Sequence, residues 1–420
     1  MVLWLPTKVI HMTTMHSIPF SLRDARRVRV GFIGTGKRGQ SLINDLLACP
    51  GAELIAVADA REDALGELRA SLNAKMQQQP AYFCGPDAWR ALLEMDLDLV
   101  CIATSWDTHV PMATAAMLAG KHVAVEVPAA QTVAGCWQLV ETSEHTRRHC
   151  VMLENCCYGY WEMLVKRMVH AGLLGTITHA ECAYIHDLRH LLLQDEHGHG
   201  RATWRRQGLI QRNGNLYPTH GLGPVAQCLR IGDDDRFDYM VSMSGREASL
   251  SEYRDRHVPA GDPRRDEVYR NGDLNVSLIR TRLGRTIVLQ HSLVSPRPYD
   301  RIFLLSGTRG AFRDYPPRLY LDAENDAGEN WVDAATLPGR AQWEDTEWVA
   351  HGEEALKQGG HGGMDFIMMR RLIETMRAGA QPDMDVYDAA DWSVPGPLSE
   401  LSAANRSQPV DFPDFRRAQS

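Results

Sequence analysis

The stretch Val28 to Gly39, VRVGFIGTGKRG, constrains this chain more than any other. A largely apolar run of strand character passes straight into Gly34-Thr35-Gly36-Lys37-Arg38-Gly39, and an amphipathic run, Gln40 to Ala48, follows it. A Gly-x-Gly-x-x-Gly turn between a buried strand and a helix brings backbone N–H groups and a helix N-terminus up to a pyrophosphate. Gly34 permits the tight turn, Gly36 lets the backbone approach the phosphates, and Gly39 allows the helix to pack closely on the strand. The next strand, Leu54 to Asp59, ends in an acid placed to accept both ribose hydroxyls. A carboxylate there repels a 2'-phosphate, so the expected cofactor is NAD rather than NADP.

From Val28 onward short apolar runs alternate with amphipathic ones as far as the strand Cys150 to Glu154, which implies a parallel, doubly wound sheet. Beyond it the rhythm changes. Extended segments such as Ile177 to Ile185, Tyr239 to Ser244, Asn275 to Arg282, Thr286 to Ser292 and Arg301 to Gly307 follow one another through Gly-rich turns. The expected architecture is therefore an α/β Rossmann domain over residues 28–155 and an α+β domain with an open, mainly antiparallel sheet over residues 156–420. Residues 1–27 read as a flexible leader, Asp322 to Gln358 as surface loops, Met364 to Ala378 as an amphipathic helix, and Pro382 to Arg417 as an extended tail wrapping the body.

Composition narrows the function classes. With 45 basic and 53 acidic residues and a net charge of -8, the chain offers no basic surface for nucleic acid. No apolar run is long enough to span a membrane, and the leader has no secretory pattern, so a cytoplasmic protein is expected. The nine cysteines are odd in number and lie mostly in apolar runs, as reduced buried thiols do. The adjacent pair Cys156-Cys157 lacks zinc-ligand spacing, and no metal is expected.

Candidate site residues gather where the parallel strands end, since the crevice of such a sheet lies at their carboxyl ends. Trp106 and His109, in the loop after Leu99 to Ala103, are placed for the nicotinamide ribose; packing anchor and helix cap are equally good readings of them. Glu126, followed by Val127 and Pro128, ends another strand, and the Pro fixes a turn with a cis bond as one option. The densest polar segment is Asn213 to Pro224, NGNLYPTHGLGP, in which Tyr217 and His220 stand about one helical turn apart and His220 suits proton transfer near neutral pH. Tyr184 and Tyr299 are further candidates.

These motifs resemble those of the Gfo/Idh/MocA oxidoreductases. The narrower blocks MLENCCYG (152–159), AYIHDLR (183–189), NGNLYPTHGLGP (213–224), SPRPYDRI (295–302), HGGMDF (361–366), DVYDAADWS (385–393) and PVDFPDF (409–415) resemble glycoside hydrolase family 109, whose characterised activity is NAD-dependent α-N-acetylgalactosaminidase. The resemblance implies NAD contacts from Lys37, Arg38, Asp59, the Trp106 to His109 loop, Glu126, Val127 and Asn155. It implies sugar contacts from Arg205, Tyr184, Tyr217, Pro218, Thr219, His220 and Tyr299. Val127 stands where most dehydrogenases of the superfamily place a lysine, which argues against simple lysine-assisted alcohol oxidation. The expected reaction is cleavage of a small glycoside or oligosaccharide by transient C3 oxidation, β-elimination, water addition and re-reduction, with His220, Tyr217 and Tyr184 moving the protons. A plain sugar or cyclitol dehydrogenase is the rival enzyme, a non-catalytic NAD sensor the rival of another class, and a homo-oligomer the expected assembly.

Overall fold

The computed structural model describes residues 15, 18–22, 26–194, 203–322 and 329–416. Its first half alternates strand and helix without exception: β1 (Val28–Ile33), α1 (Lys37–Leu47), β2 (Ala52–Asp59), α2 (Glu62–Asn73), β3 (Ala81–Cys84), α3 (Ala88–Leu93), β4 (Leu99–Ile102), α4 (Trp106–Leu118), β5 (His122–Val125), α5 (Val133–Thr146) and β6 (Cys150–Met152). The six strands form one wholly parallel sheet in the order β3-β2-β1-β4-β5-β6. Every residue of β4, β5 and β6 is buried, as a sheet covered by helices on both faces requires. The strand order reverses between β1 and β4, and this switch point opens the crevice at the carboxyl ends of both strands.

The second half contains α6 (Tyr160–His170), β7 (Ile177–Ile185), α7 (Arg189–Leu192), α8 (Thr203–Gln211), α9 (Thr219–Cys228), β8 (Phe237–Ser244), α10 (Ser249–His257), β9 (Asn275–Thr281), β10 (Thr286–Ser292), β11 (Leu304–Gly307), β12 (Gly310–Arg313), β13 (Arg318–Leu321), β14 (Val332–Asp333), α11 (Thr346–Gln358), α12 (Met364–Arg377), α13 (Val386–Ser393), α14 (Pro395–Ala404) and β15 (Val410–Asp411). Nine strands make a mixed sheet in the order β14-β13-β12-β11-β7-β10-β9-β8-β15, antiparallel except where β7 pairs with β10. In β9 buried and exposed residues alternate strictly, so one face packs on helices and the other is open, leaving Met243, Val276 and Leu278 exposed.

Helix α9 lies directly on the covered face. A Cβ at Gly221 would sit 2.7 Å from the Ala183 nitrogen of β7, so only glycine lets the helix come this close. That contact sets His220 of α9 beside Tyr184 of β7.

Three expectations need correction. Pro382 to Arg417 is not an extended tail but holds α13 and α14. Asp385 caps α13 with a capping box shared with Asp388, and Pro395 occupies the first turn of α14, where a missing N–H costs nothing. The segment read as surface loops ends in α11, started by the Asp345 side chain accepting from Glu347 N. Much of the segment expected to be a flexible leader falls outside the described residues, but Met15 and Phe20 are buried, and Met15 N donates to the Tyr387 hydroxyl. Among the described residues no helix is long and apolar enough to cross a membrane.

Candidate active site

The glycine turn is built for close approach. Gly34 adopts φ +92°, which strains any other L-residue, and a Cβ on Gly39 would meet the Gly34 carbonyl oxygen at 2.0 Å. A Cβ on Gly36, by contrast, would meet nothing within 4 Å, so the backbone there faces open space. That space belongs to a cavity of about 660 Å³ lined by Gly34, Gly36, Lys37 and Arg38 on one side and by Trp106, Trp204 and Arg205 at the other end. Its size, the glycine cradle and the helix N-terminus at Lys37 fit a dinucleotide. Lys37, Arg38, Asp59 and Glu126 would hold it.

Asp59 has a second task. Its Oδ2 accepts from Thr35 N at 2.6 Å and from Thr35 Oγ1 at 3.0 Å, so it braces the glycine turn while lining the cavity. Glu126 accepts from Arg38 Nε at 2.7 Å, and Arg38 also donates to Asp365 Oδ2 at 2.6 Å. Asp365 in turn accepts from Asn155 Nδ2 at 2.7 Å through its other oxygen. Asn155 thus acts on the cofactor side through Asp365 and Arg38.

Trp106 lines the cavity and donates from Nε1 to the Val127 carbonyl at 3.0 Å. His109 is fully buried, with Nδ1 2.9 Å from the Pro128 oxygen and Nε2 3.2 Å from the Thr104 oxygen. Burial pushes its pKa down, so the ring is neutral and has a single N–H, which donates to one of these two carbonyls, tying α4 either to the cis Val127-Pro128 turn or to the end of β4.

Beyond Trp106 the aromatic residues converge. The Arg205 guanidinium lies over the rings of Trp204, Tyr217 and Trp106 at 5.0, 5.5 and 5.6 Å. The Tyr184, Tyr217 and His220 rings form a triangle with sides of 4.7, 4.8 and 5.2 Å. Pro218 and Thr219 open α9 between them, and Tyr299 stands 6.1 Å from Tyr184. The structure therefore brings together every residue expected for the sugar.

His220 is not alone. Its Nδ1 lies 2.7 Å from Oε1 of Glu154, a fully buried residue at the end of β6. Burial works against the Glu154 charge, but His220 and further hydrogen bonds outweigh it and hold the carboxyl below its usual range. An ionised Glu154 can only accept, so Nδ1 is the donor, and the neutral form of the ring has its lone pair at Nε2. Burial raises the pKa of both Tyr184 and Tyr217, which keeps their hydroxyls protonated. Cys156 places a third donor atom within 4.8 Å of those of Glu154 and His220, but Glu154 Oε1 and His220 Nδ1 are spent on each other.

Sequence reasoning missed Glu154, Trp204 and Asp365. Glu154 carried the same signal that marked Asp59 and Glu126, an acid closing a buried parallel strand. Trp204 is the neighbour of Arg205, and Asp365 belongs to the HGGMDF block.

Comparison with known proteins agrees with this fold. Residues 28–154 match the family model of the oxidoreductase family, NAD-binding Rossmann fold, and residues 158–420 match that of the glycosyl hydrolase 109 C-terminal domain. A glycosyl hydrolase family 109 protein of Solibacter usitatus is 53% identical over 402 residues, covering 94% of this chain and 90% of its own length. An alpha-N-acetylgalactosaminidase of Shewanella oneidensis is 44% identical over 396 residues, covering 93% and 85%. Among solved structures, a levoglucosan dehydrogenase in complex with NADH and L-sorbose superposes with a TM-score of 0.71 at 18% identity, covering 93% of this chain and 100% of that one. An inositol dehydrogenase homolog from Azotobacter vinelandii, complexed with NADH and myo-inositol, gives 0.67 at 16%, covering 96% and 100%. These two likenesses speak to the fold.

Proposed function

The chain belongs to glycosyl hydrolase family 109 and carries an NAD-binding Rossmann domain of the oxidoreductase family, and from this premise we propose that it cleaves α-N-acetylgalactosaminides with NAD recycled in place. The Shewanella oneidensis relative supplies the sugar. One observation carries the mechanism: Trp106 and Arg205, which line the dinucleotide cavity, pack against Tyr217, the first of a cluster of two protonated tyrosines and a histidine backed by a buried carboxylate.

An ordinary glycosidase works with two opposed carboxyl groups. The carboxylates lining this cavity are engaged otherwise, Asp59 with Thr35 and Glu126 with Arg38. When bound, NAD supplies a reversible two-electron acceptor that makes the sugar C3 a ketone and later restores it, acidifying the C2 proton in between. The chain must then provide a base for the C2 proton and an acid for the leaving oxygen. His220 Nε2 is the base, since Nδ1 is held by Glu154 and the carboxylate stabilises the imidazolium that forms. Tyr217, kept protonated by burial, is the acid. The Trp106, Trp204 and Tyr217 rings under Arg205 wall this end of the site against water.

Hydrolysis of an aryl α-N-acetylgalactosaminide in D2O tests the reading. The expected product carries deuterium at C2, and the NADH absorbance band does not grow. A product without deuterium at C2 overturns the scheme, and steady growth of NADH marks a dehydrogenase instead.

A further inference from the structure

Tyr184 has a partner that the scheme above leaves unused. Two residues further along the same extended segment, His186 places Nδ1 3.0 Å from the Tyr184 hydroxyl. The His186 nitrogen of the backbone still pairs with Ser292 O at 2.9 Å, so the strand alignment of β7 with β10 continues through it and holds the ring in place. Tyr299 packs edge-on against the His186 ring at 5.1 Å, closing the other side. The ring is half-buried, whereas Tyr184 is buried, so His186 connects Tyr184 to the solvent side of the site.

We propose that His186 is the proton acceptor behind Tyr184, forming a second acid–base pair that takes the proton of the sugar hydroxyl while His220 and Glu154 serve the C2 proton. The inference rests on the functional reading above. Oxidation of the carbinol must remove the hydroxyl proton as the C–H bond breaks. A tyrosine held protonated by its surroundings cannot accept a proton unless it passes its own on in the same step. Here the path is laid out: the substrate O–H proton goes to Tyr184 Oη, and the Tyr184 proton goes to His186 Nδ1. The carbon's hydrogen leaves with its electron pair to the nicotinamide, and a C=O double bond remains. Charge balances with His186 as imidazolium, and the same path runs backward when the ketone is reduced.

This requires His186 to be neutral beforehand, with its proton on Nε2. Burial works first against a charge on it, then Arg205, His220 and His361, while Asp187 favours the charge; together they push its pKa below the usual value. Tyr184 and Tyr299, the rings against it, carry no charge to oppose this. The imidazolium is therefore short-lived and returns its proton readily, which a pair working in both directions within one turnover needs.

The test compares His186→Asn with His186→Ala. Asn can still accept a hydrogen bond from Tyr184 but cannot take the proton. If His186 acts as proton acceptor, both variants lose kcat by about 100-fold, the lower end of a general acid–base contribution, with KM and NAD+ affinity within twofold of wild type. Full rescue by Asn would reduce His186 to a structural hydrogen bond and overturn the proposal. A second arm needs no substrate. In the 15N imidazole spectrum of the folded protein at pH 7, His186 is expected as the Nε2–H tautomer, with its Nδ1 resonance moving in Tyr184→Phe. A protonated ring, or a resonance indifferent to Tyr184→Phe, overturns the pairing. A wild type that leaves aryl glycosides untouched would sink the functional reading alone, and the spectrum would still decide the pair.

Discussion

Replacing Glu154 by Gln keeps the shape of the buried side chain and removes its charge. Glu154 Oε1 lies 2.7 Å from His220 Nδ1. Once the ring is protonated, the two charge centres are about 4 Å apart, and at an effective dielectric of about 20 their attraction is about 4 kcal/mol. At about 1.4 kcal/mol per tenfold, losing it slows the step by about 1000-fold. The Gln dipole recovers part of this, but its amide also lets an N–H face Nδ1, which turns His220 to the tautomer that has no lone pair at Nε2. The expected result is a kcat lower by about 100- to 1000-fold, with NAD+ affinity and melting temperature close to wild type. Steady-state hydrolysis of an aryl α-N-acetylgalactosaminide reads kcat, and fluorescence titration reads NAD+ binding. Because Glu154 acts through His220, Glu154→Gln added to His220→Ala should cost nothing further. A folded, NAD-binding Glu154→Gln with kcat within threefold of wild type would refute the reasoning, as would additive losses in the double variant.

Gly39→Ala places a methyl group 2.0 Å from the Gly34 oxygen and must push α1 off the glycine turn. About 1 to 3 kcal/mol of strain is expected, read as a fall in melting temperature together with an NAD+ Kd raised at least tenfold; unchanged NAD+ binding would count against the turn as the cofactor seat. Asp45, buried on α1, has its carboxyl pushed from 3.8 up to about 7, by burial first and then by Asp365. The folded protein therefore holds a proton that the unfolded chain releases between those values, so this group's contribution to stability falls as pH rises through that window and is level above it. Asp45→Asn removes the dependence, and its melting temperature relative to wild type should rise between pH 5 and pH 8; a constant difference would show that Asp45 does not titrate there.

What the chain reveals in one dimension is what its physics keeps local. The glycine turn is six consecutive residues whose roles depend on one another, and Asp59 is marked by the strand it closes. Alternation of strand and helix is equally local, which is why the parallel sheet could be read strand by strand. The Tyr217 and His220 pair is readable because four residues span it. Glu154 and His220 lie 66 residues apart, Asn155 and Asp365 210, and Arg38 and Asp365 327. No periodicity connects such positions. The misread tail has a different cause: a stretch punctuated by prolines reads as extended, whereas Pro395 stands in the first turn of α14, where proline starts a helix. His109 shows what spacing does not reveal, since it lines the cavity while its ring nitrogens face the carbonyls of Thr104 and Pro128.

The end of β6 then acquires a meaning neither half of the chain has alone. Glu154 and Asn155 are adjacent, yet they hold different partners. Glu154 sets the tautomer of His220, and Asn155 holds Asp365, which holds Arg38 on the cofactor turn. A single backbone turn therefore fixes the His220 ring relative to the glycine turn. Chemistry that withdraws electrons at one sugar carbon and a proton at the next needs both acceptors in register with the same ring, and two neighbouring residues on a buried strand end hold that register more tightly than separate loops could. The large sheet supplies the rest of the geometry by bringing Tyr184 up against His220 of α9, with His186 beside Tyr184.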